Sequence, residues 1–190
     1  PLTAPRARMA KRLIAKHLRY AVEGAMVAAL FVLFRIMPLP LASGLAGALA
    51  GTVGPLLPLH ARARRNLHRA MPELPPVEVE RALGEMWRNL GRVAGEYPHL
   101  QKFRAYMPGG RIEVVGEEHL VTAKEEARGA LFFTGHLSNW EVSGLPLIQH
   151  GIPIAFVYRA PNNPFVDRLI ARIRGRDITE NAIAKGATGA

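Results

Sequence analysis

The sequence from 130 to 141 reads ALFFTGHLSNWE, and its first half decides the fold class. Ala130–Thr134 is a continuous apolar run, which is typical of a strand buried on both faces of a parallel sheet. Alternating polarity with β-branched residues predicts an earlier strand over Arg111–Val115, and another apolar run predicts a later one over Pro153–Tyr158. Helices are predicted between and after these strands, over Glu117–Arg128, Asn139–His150 and Asn163–Arg174, each followed by a glycine.

The order β-α-β-α-β-α predicts an α/β fold with a mostly parallel sheet. In such sheets ligands bind at the carboxyl ends of the strands, so chemistry is expected in the loops that follow them. Three parallel strands make a small sheet with exposed edges, and no strand is predicted after Arg174. We therefore expect this α/β core, residues 109–190, to be incomplete at its C-terminal end and the chain to be a piece of a longer protein.

Two further regions precede this core. Residues 61–108 are predicted to be helical, because apolar residues recur at helical spacing from Val79 to Ala94 and Pro98 ends the pattern. Trp87 lies within this pattern and is predicted to be a core residue. Residues 1–60 are predicted to form a basic N-terminal segment followed by membrane-anchoring or interfacial helices.

The positive charge of the chain borders its most apolar segment. The net charge is +10, and the whole excess lies in residues 1–20, with six basic residues, and residues 61–70, with four; neither cluster contains an acid. Because these bases border apolar residues rather than aromatic platforms or a recognition helix, nucleic-acid binding is not expected.

The apolar segment predicts membrane association. A transmembrane helix needs about 20 apolar residues; Tyr20–Met37 is slightly shorter, and two prolines separate it from a second apolar stretch, Leu41–Leu57. In that stretch Ser43, Gly47 and Gly51 repeat every four residues, a pattern that permits close helix contact. We expect these helices to lie in a membrane, with the basic clusters on anionic lipid head groups. The alternatives are a pair of core helices in a soluble protein and a cleaved signal peptide.

The loop after the second predicted strand carries a candidate catalytic pair. His136 follows the end of that strand, and Glu141 comes five residues later, in the first turn of the next predicted helix. A carboxylate on one imidazole nitrogen raises the basicity of the other, which can then take a proton from a substrate hydroxyl. The absence of cysteine and of a G-x-S-x-G motif favours direct activation of that hydroxyl. Alternatively, Ser138 and Glu141 fit a capping box, in which the acid only caps a helix.

Arg159 follows the third predicted strand and is expected at the same sheet edge as His136. An arginine in this position suits a phosphate, which it can bind in bidentate fashion. For Arg172 and Arg174, on the helix that follows, a solvated basic face is favoured. Trp140 is expected to pack beside the site, and no third ligand near His136 and Glu141 indicates a metal.

Two motifs closely resemble the lipid A biosynthesis (lauroyl/myristoyl) acyltransferases, within the wider lysophospholipid and glycerol-phosphate acyltransferase superfamily. GHLSNWE contains the H-x4-[DE] signature at His136 and Glu141. FVYRAPNNPFVDRLIARIRGR is similar to the second block of the family, through Tyr158, Arg159, Asn163, Pro164, Asp167, Arg168 and Arg174. H-x4-E alone is a weak signal, but both blocks in order behind an apolar N-terminus are specific.

The resemblance implies an O-acyltransferase on the cytoplasmic face of a bacterial inner membrane. Such an enzyme moves an acyl chain from acyl carrier protein, or less often coenzyme A, to a hydroxyl of a lipid A precursor, without a metal or a further cofactor. The resemblance implies that His136 is the general base and Glu141 its partner. Five residues of the two motifs are predicted to bind substrate: Arg159, Asn139, Trp140, Asn163 and Arg168.

The basic residues of the chain also offer a surface for an acidic partner. An acidic carrier protein is expected to favour a basic face, such as Arg62–Arg69 or Arg168–Arg176. One alternative function is an acyltransferase for another glycolipid or phospholipid acceptor. The other is a non-catalytic membrane adaptor, in which Ser138 and Glu141 only cap a helix.

Overall fold

The computed structural model describes residues 4–126, 129–175 and 181–184. This part of the chain is mostly helical, with one two-stranded parallel sheet. The α-helices are α1 (Ala4–Ile36), α2 (Leu39–Val53), α3 (Pro58–Ala70), α4 (Pro76–Glu96), α5 (Glu117–Glu125), α6 (Leu145–Gln149) and α7 (Pro164–Arg174). Short 3-10 segments cover Gly54–Leu56, Tyr97–Lys102 and Trp140–Val142, and the strands are β1 (Phe156–Tyr158) and β2 (Ala182–Ala184). The chain divides into two units, Phe34–Ile152, and Pro1–Leu33 together with Pro153–Ala190.

The packing of α2 on α4 forms the centre of the unit Phe34–Ile152. Gly95 of α4 lies against the α2 backbone, where a β-carbon would be only 2.5 Å from the Ala42 carbonyl oxygen, and Gly91 lies closer still to the Ala46 carbonyl oxygen. Gly47, from the predicted small-residue repeat, lies beneath an arginine side chain of α4. Small residues let two helices approach to backbone contact. The close helix contact predicted for α2 is therefore confirmed, and α4 is the partner.

Polar contacts join α3 to α4. Trp87 is buried, as predicted for a core residue, and its Nε1 donates a hydrogen bond of 3.1 Å to Nδ1 of the buried His60. The Arg64 guanidinium donates two hydrogen bonds, of 2.6 and 2.9 Å, to the Glu80 carboxylate. Each contact pairs one residue of α3 with one of α4, so the two helices are held together both inside the core and at the surface.

Among the residues that the structure describes, two helical segments are long and apolar enough to cross a membrane, Lys11–Ile36 and Leu39–Leu56. Both are mostly exposed. A core helix or a signal sequence can meet the same criterion, so length and composition alone are weak evidence for a membrane span. The exposed side of α2 carries Leu41, Leu45 and Leu49, which recur every four residues on the side opposite α4.

In the unit formed by residues 1–33 and 153–190, helix α7 contacts α1 through Asn163. This buried N-cap residue accepts a hydrogen bond of 3.0 Å from the Phe165 backbone N–H. Its Nδ2 donates to the Tyr20 carbonyl oxygen at 2.9 Å and to the Glu23 carboxylate at 3.2 Å. Beside it, a β-carbon at Gly24 would lie 2.7 Å from Cβ of Phe165. Asn163 therefore starts α7 and fastens it to α1.

The prediction for the C-terminal third is confirmed in part. Helix α7 matches the helix predicted over Asn163–Arg174, and β1 lies within the strand predicted over Pro153–Tyr158. Strand β1 pairs in parallel with β2, with Phe156 opposite Ala182. The second strand of this sheet was not predicted, because no strand was expected after Arg174.

The predicted strands over 111–115 and 130–134 are not confirmed, since both segments lack regular secondary structure. Leu131 is 87% and Phe133 93% exposed. An apolar run becomes a buried strand only when neighbouring strands supply hydrogen bonds and helices cover its faces, and 130–134 has no such neighbour among the described residues. The complete β-α-β-α-β-α unit is therefore not confirmed.

The predicted helices around the site are shorter than expected. The one predicted over Glu117–Arg128 begins at Glu117 as α5, while residues 127 and 128 lie outside the described residues. The one predicted over Asn139–His150 is divided into the 3-10 segment Trp140–Val142 and α6. Pro146 explains the break, because its ring fixes φ and removes a donor, so it suits the first turn of a new helix.

Candidate active site

His136 lies in an irregular loop between α5 and the 3-10 segment Trp140–Val142. Its side chain is exposed, and its imidazole packs beside the Trp140 ring, with the ring centroids 4.9 Å apart and the planes inclined by 46°. Trp140 therefore lies beside the candidate base, as the sequence predicts. An exposed imidazole next to an aromatic surface is accessible to a substrate hydroxyl.

The backbone between these two rings has an unusual conformation. Ser138 has φ of 49°, in the left-handed region that residues with a side chain rarely adopt. The Asn89 amide, on α4, donates a hydrogen bond of 3.2 Å to the Ser138 carbonyl oxygen. Helix α4 therefore supports the loop at its most constrained residue, two positions from His136.

Glu141 points its carboxylate towards the end of α4. Its Oε2 accepts a hydrogen bond of 3.1 Å from the hydroxyl of the buried Tyr97. This hydrogen bond joins Glu141 to Tyr97 and does not involve the His136 ring. The structure places the two candidate catalytic residues on one short loop, and their direct pairing stays a prediction.

The capping-box alternative for Ser138 and Glu141 is not supported by the geometry. The segment Trp140–Val142 has Asn139 as its N-cap and no capping hydrogen bond from a side chain. A capping box would require the serine hydroxyl to bind a backbone N–H inside the helix. The structure therefore gives no indication that the Glu141 carboxylate serves only to cap this segment.

Glu96, at the end of α4, fixes the same loop from a second direction. One carboxylate oxygen accepts a hydrogen bond of 2.7 Å from Nδ2 of Asn139, and the other accepts one of 2.7 Å from the Ser43 hydroxyl. Both bonds are charge-assisted, the stronger class of hydrogen bond. Asn139, predicted to bind substrate, is therefore linked through Glu96 to α2.

A cleft of about 290 Å³ opens beside this network. Its walls come from the start of α2, the last turns of α4 and the loop that follows His136. The lining residues are Pro40, Ser43, Gly44, Asn89, Arg92, Val93, Glu96, Ser138 and Asn139. The α4 members of this set could not be predicted from the sequence, because helical periodicity does not reveal which distant loop a polar face will contact.

The remaining predicted site residues belong to the other unit of the chain. Arg159 is exposed and directly follows β1, as expected for a residue at the carboxyl end of a strand. Arg168 is exposed on α7, with its guanidinium 5.9 Å from the centre of the Phe165 ring. Asn163 is buried and uses its side chain in the cap and the contact with α1. The substrate-binding roles of these three residues stay predictions.

Within the described residues, 4–126, 129–175 and 181–184, no group of three or more His, Asp or Glu side chains could hold a metal ion. The site therefore offers hydrogen-bonding and acid–base groups: an imidazole, two carboxylates, two amides and a tyrosine hydroxyl. Such groups can orient a hydroxyl and accept its proton.

Comparison with known proteins gives two relatives of modest identity. A lipid A biosynthesis acyltransferase of Haemophilus influenzae is 29% identical over 123 residues, which cover 60% of this chain and 36% of that protein. A phosphatidylinositol mannoside acyltransferase of Mycolicibacterium smegmatis is 31% identical over 132 residues, which cover 66% of this chain and 41% of that protein. The chain thus spans about two fifths of the length of the curated relatives it matches. No solved structure matches it significantly.

The family comparison covers almost the whole chain. The sequence profile described as bacterial lipid A biosynthesis acyltransferase matches residues 9–183, a range that includes the two apolar helical segments, the His136 loop, β1 and the first two residues of β2. This range includes both motifs on which the resemblance rests. The chain belongs to the bacterial lipid A biosynthesis acyltransferase family.

Proposed function

We propose that this chain is the catalytic part of an O-acyltransferase that moves a fatty acyl chain to a hydroxyl of a lipid A precursor. The match of residues 9–183 to the family is the observation that carries the proposal. The name of the Haemophilus influenzae relative points to the same acceptor. The proposed donor is acyl carrier protein, with acyl-coenzyme A as the less common alternative.

In the proposed reaction, His136 accepts the proton of the acceptor hydroxyl. The hydroxyl oxygen attacks the thioester carbonyl, the carbon–sulfur bond breaks, and the thiolate leaves with the proton that the imidazolium returns. Because a thioester is already activated, neither a metal nor another cofactor takes part. The exposure of His136 beside Trp140 supports this role, since the ring is open to a substrate and its orientation is restricted by packing.

Glu141 and its neighbours are proposed to position the base. Tyr97 holds the Glu141 carboxylate, and Glu96 holds Asn139, so both ends of the segment 139–141 are tied to the end of α4.

We further propose that α2 lies in the membrane interface and does not cross the bilayer. The contacts with Gly91 and Gly95 fix α4 along α2, and α4 also carries Arg88 and Arg92, whose side chains cover the glycines of α2. Taking those charges into hydrocarbon would cost about 3 kcal/mol each. The opposite side of α2 presents Leu41, Leu45 and Leu49, the arrangement of a helix lying in the plane of a membrane.

The basic residues of α3 fit the same arrangement. Arg62, Arg65 and Arg69 are exposed and recur at helical spacing, directly after the apolar face of α2. Anionic head groups attract such residues by about 1 kcal/mol each. We propose the cytoplasmic face of the inner membrane as the location, where the acyl donor is available. The exposed basic side chains of α7, Arg168 and Arg172, are the proposed contact for the acidic carrier protein.

Vesicle binding tests the proposal for α2. Leu45→Glu should weaken co-sedimentation with vesicles that contain phosphatidylglycerol, because a carboxylate on the apolar face must leave water. Val77→Glu is the matched control, since Val77 is 72% exposed on α4, which is not proposed to enter the membrane. Equal binding by the two variants would contradict the proposed membrane face.

A second candidate function is favoured by the Mycolicibacterium smegmatis relative, whose name points to a mannosylated phosphatidylinositol acceptor. Mass spectrometry separates the two acceptors. The purified chain is incubated with acyl carrier protein bearing a labelled acyl chain, and with either a lipid A precursor or a phosphatidylinositol mannoside. A gain of one acyl group by the lipid A precursor is expected. A gain only by the mannoside would replace the first proposal by the second, and no transfer to either acceptor would favour the membrane-adaptor alternative.

A further inference from the structure

The cleft beside the His136 loop contains groups that the proposed proton transfer does not use. It lies between Ser43 on α2, Arg92 on α4 and Asn139 on the loop. Its volume of about 290 Å³ is at the lower limit of ligand pockets, which suits one small polar group rather than a whole glycolipid. Because Asn139 is three residues from His136, a ligand in the cleft would be held by the same loop as the base.

Arg92 supplies the cationic side of the cleft. The stem of its side chain packs on α2, with Cγ 2.9 Å from the position of a β-carbon at Gly47. Within the described part of the chain, no hydrogen bond or ion pair is found for its guanidinium, whereas Arg64 is paired with Glu80. A fixed stem with an available guanidinium is the arrangement that binds a phosphate in bidentate fashion.

The opposite side of the cleft supplies acceptors. Glu96 is half-buried, and its carboxylate accepts hydrogen bonds from Ser43 and Asn139. The Oδ1 atom of Asn139 is buried and has no hydrogen-bond partner among the residues that the structure describes. A buried acceptor without a partner costs about 1–3 kcal/mol, which a donor from a ligand would recover. Sugar hydroxyl groups are donors of this kind.

We propose that the cleft binds the phosphorylated sugar of the acceptor, with the phosphate on Arg92 and hydroxyl groups of the sugar on Asn139 and Glu96. The role of this ligand as the acyl acceptor rests on the proposed function, whereas its chemical class is inferred from the cleft residues alone. Binding there fixes the polar head of the glycolipid beside the His136 loop and leaves its acyl chains outside the cleft. Arg92 is thus a binding residue that selects phosphorylated acceptors.

Calorimetric titration of the purified chain with glucosamine 1-phosphate tests the proposal. Arg92→Gln should weaken binding about tenfold or more, because a charge-assisted bidentate contact is lost. Arg88→Gln is the matched control, since Arg88 lies one turn earlier on α4, packs on Gly51 in the same way and does not line the cleft. The control should bind within twofold of the wild type, and Arg92→Lys should recover part of the affinity. Thermal melting of each variant checks that it folds.

Two further ligands separate the contribution of the phosphate to binding from that of the sugar. Unphosphorylated glucosamine should bind weakly and equally to the wild type and Arg92→Gln, while inorganic phosphate should show the Arg92 dependence with lower affinity than the sugar phosphate. Equal affinity of folded Arg92→Gln and wild type for glucosamine 1-phosphate would overturn the proposal. Binding that depends on Arg92 in a chain without acyl transfer would leave the cleft assigned and refute only the acyltransferase function.

Discussion

Substitution of Gly91 by alanine tests whether α2 and α4 are in backbone contact. A β-carbon at Gly91 would lie 2.6 Å from Cβ of Ala50 and still closer to the Ala46 carbonyl oxygen. Ordinary van der Waals contact begins at 3.4 Å, so the helices must separate by about 1 Å. Overpacking of this kind costs about 1–3 kcal/mol.

Helix propensity opposes this cost. Alanine is favoured over glycine inside a helix by about 1 kcal/mol. Gly84→Ala, on the same helix, isolates that gain, because its β-carbon would meet only Nη1 of Arg88 at 3.6 Å. We expect Gly84→Ala to melt a few degrees higher than the wild type and Gly91→Ala several degrees lower, since about 1 kcal/mol corresponds to 2–4 °C at this chain length.

Separation of α2 and α4 in Gly91→Ala should also disturb the candidate active site. The hydrogen bonds of Glu96 with Ser43 and Asn139 are 2.7 Å long and run between α2, α4 and the His136 loop. Separation of the helices by about 1 Å would lengthen the bond from Ser43 beyond the range of a hydrogen bond. Thermal melting and acyl transfer are measured on both variants. If Gly91→Ala proves as stable as Gly84→Ala, the close packing described for α2 and α4 is wrong.

Two other contacts give predictions for stability. Trp87→Phe removes the N–H that donates to the buried His60 ring, and it should destabilise the protein by about 1–3 kcal/mol in denaturant unfolding; an unchanged midpoint would show that this hydrogen bond is not formed. The Arg64 guanidinium, chiefly by hydrogen bonding, lowers the pKa of the exposed Glu80 carboxyl. A carboxyl whose pKa is lower in the folded than in the unfolded state stabilises the folded protein at pH values above the unfolded-state pKa. This stabilisation is lost as the pH falls through the folded-state pKa. Glu80→Gln should therefore be slightly less stable than the wild type at neutral pH, and the difference should vanish in acid; a difference that grows in acid would contradict the pairing.

The parts of the fold that could be predicted from sequence are those with local signals. Asn163 followed by proline predicts the start of α7, because the side chain caps the helix and the proline suits its first turn. The small residues around Gly47 predict a close helix contact. The apolar run of 130–134 predicts a strand only if partners cover it, and that condition depends on residues far away in sequence.

The candidate site also combines residues that a local motif predicts with residues that only the tertiary structure brings to it. The loop bearing His136 and Glu141 could be identified from a motif of a few residues. Its supports, Tyr97 and Glu96, lie more than 35 residues earlier on a helical segment, where nothing in the local pattern distinguishes a surface acid from one that fixes a loop. Only the packing of α4 against the loop reveals their contribution.

The turnover of His136→Ala tests the central claim most directly. Acyl transfer from acyl carrier protein to a lipid A precursor is measured for this variant and for His119→Ala, whose imidazole on α5 is also exposed, lies near the Glu118 carboxylate and is not among the residues assigned to the site. Loss of a general base should lower turnover about 10²–10⁴-fold in His136→Ala, with melting temperature and vesicle binding unchanged, while His119→Ala keeps wild-type turnover. Wild-type turnover by His136→Ala would contradict the account.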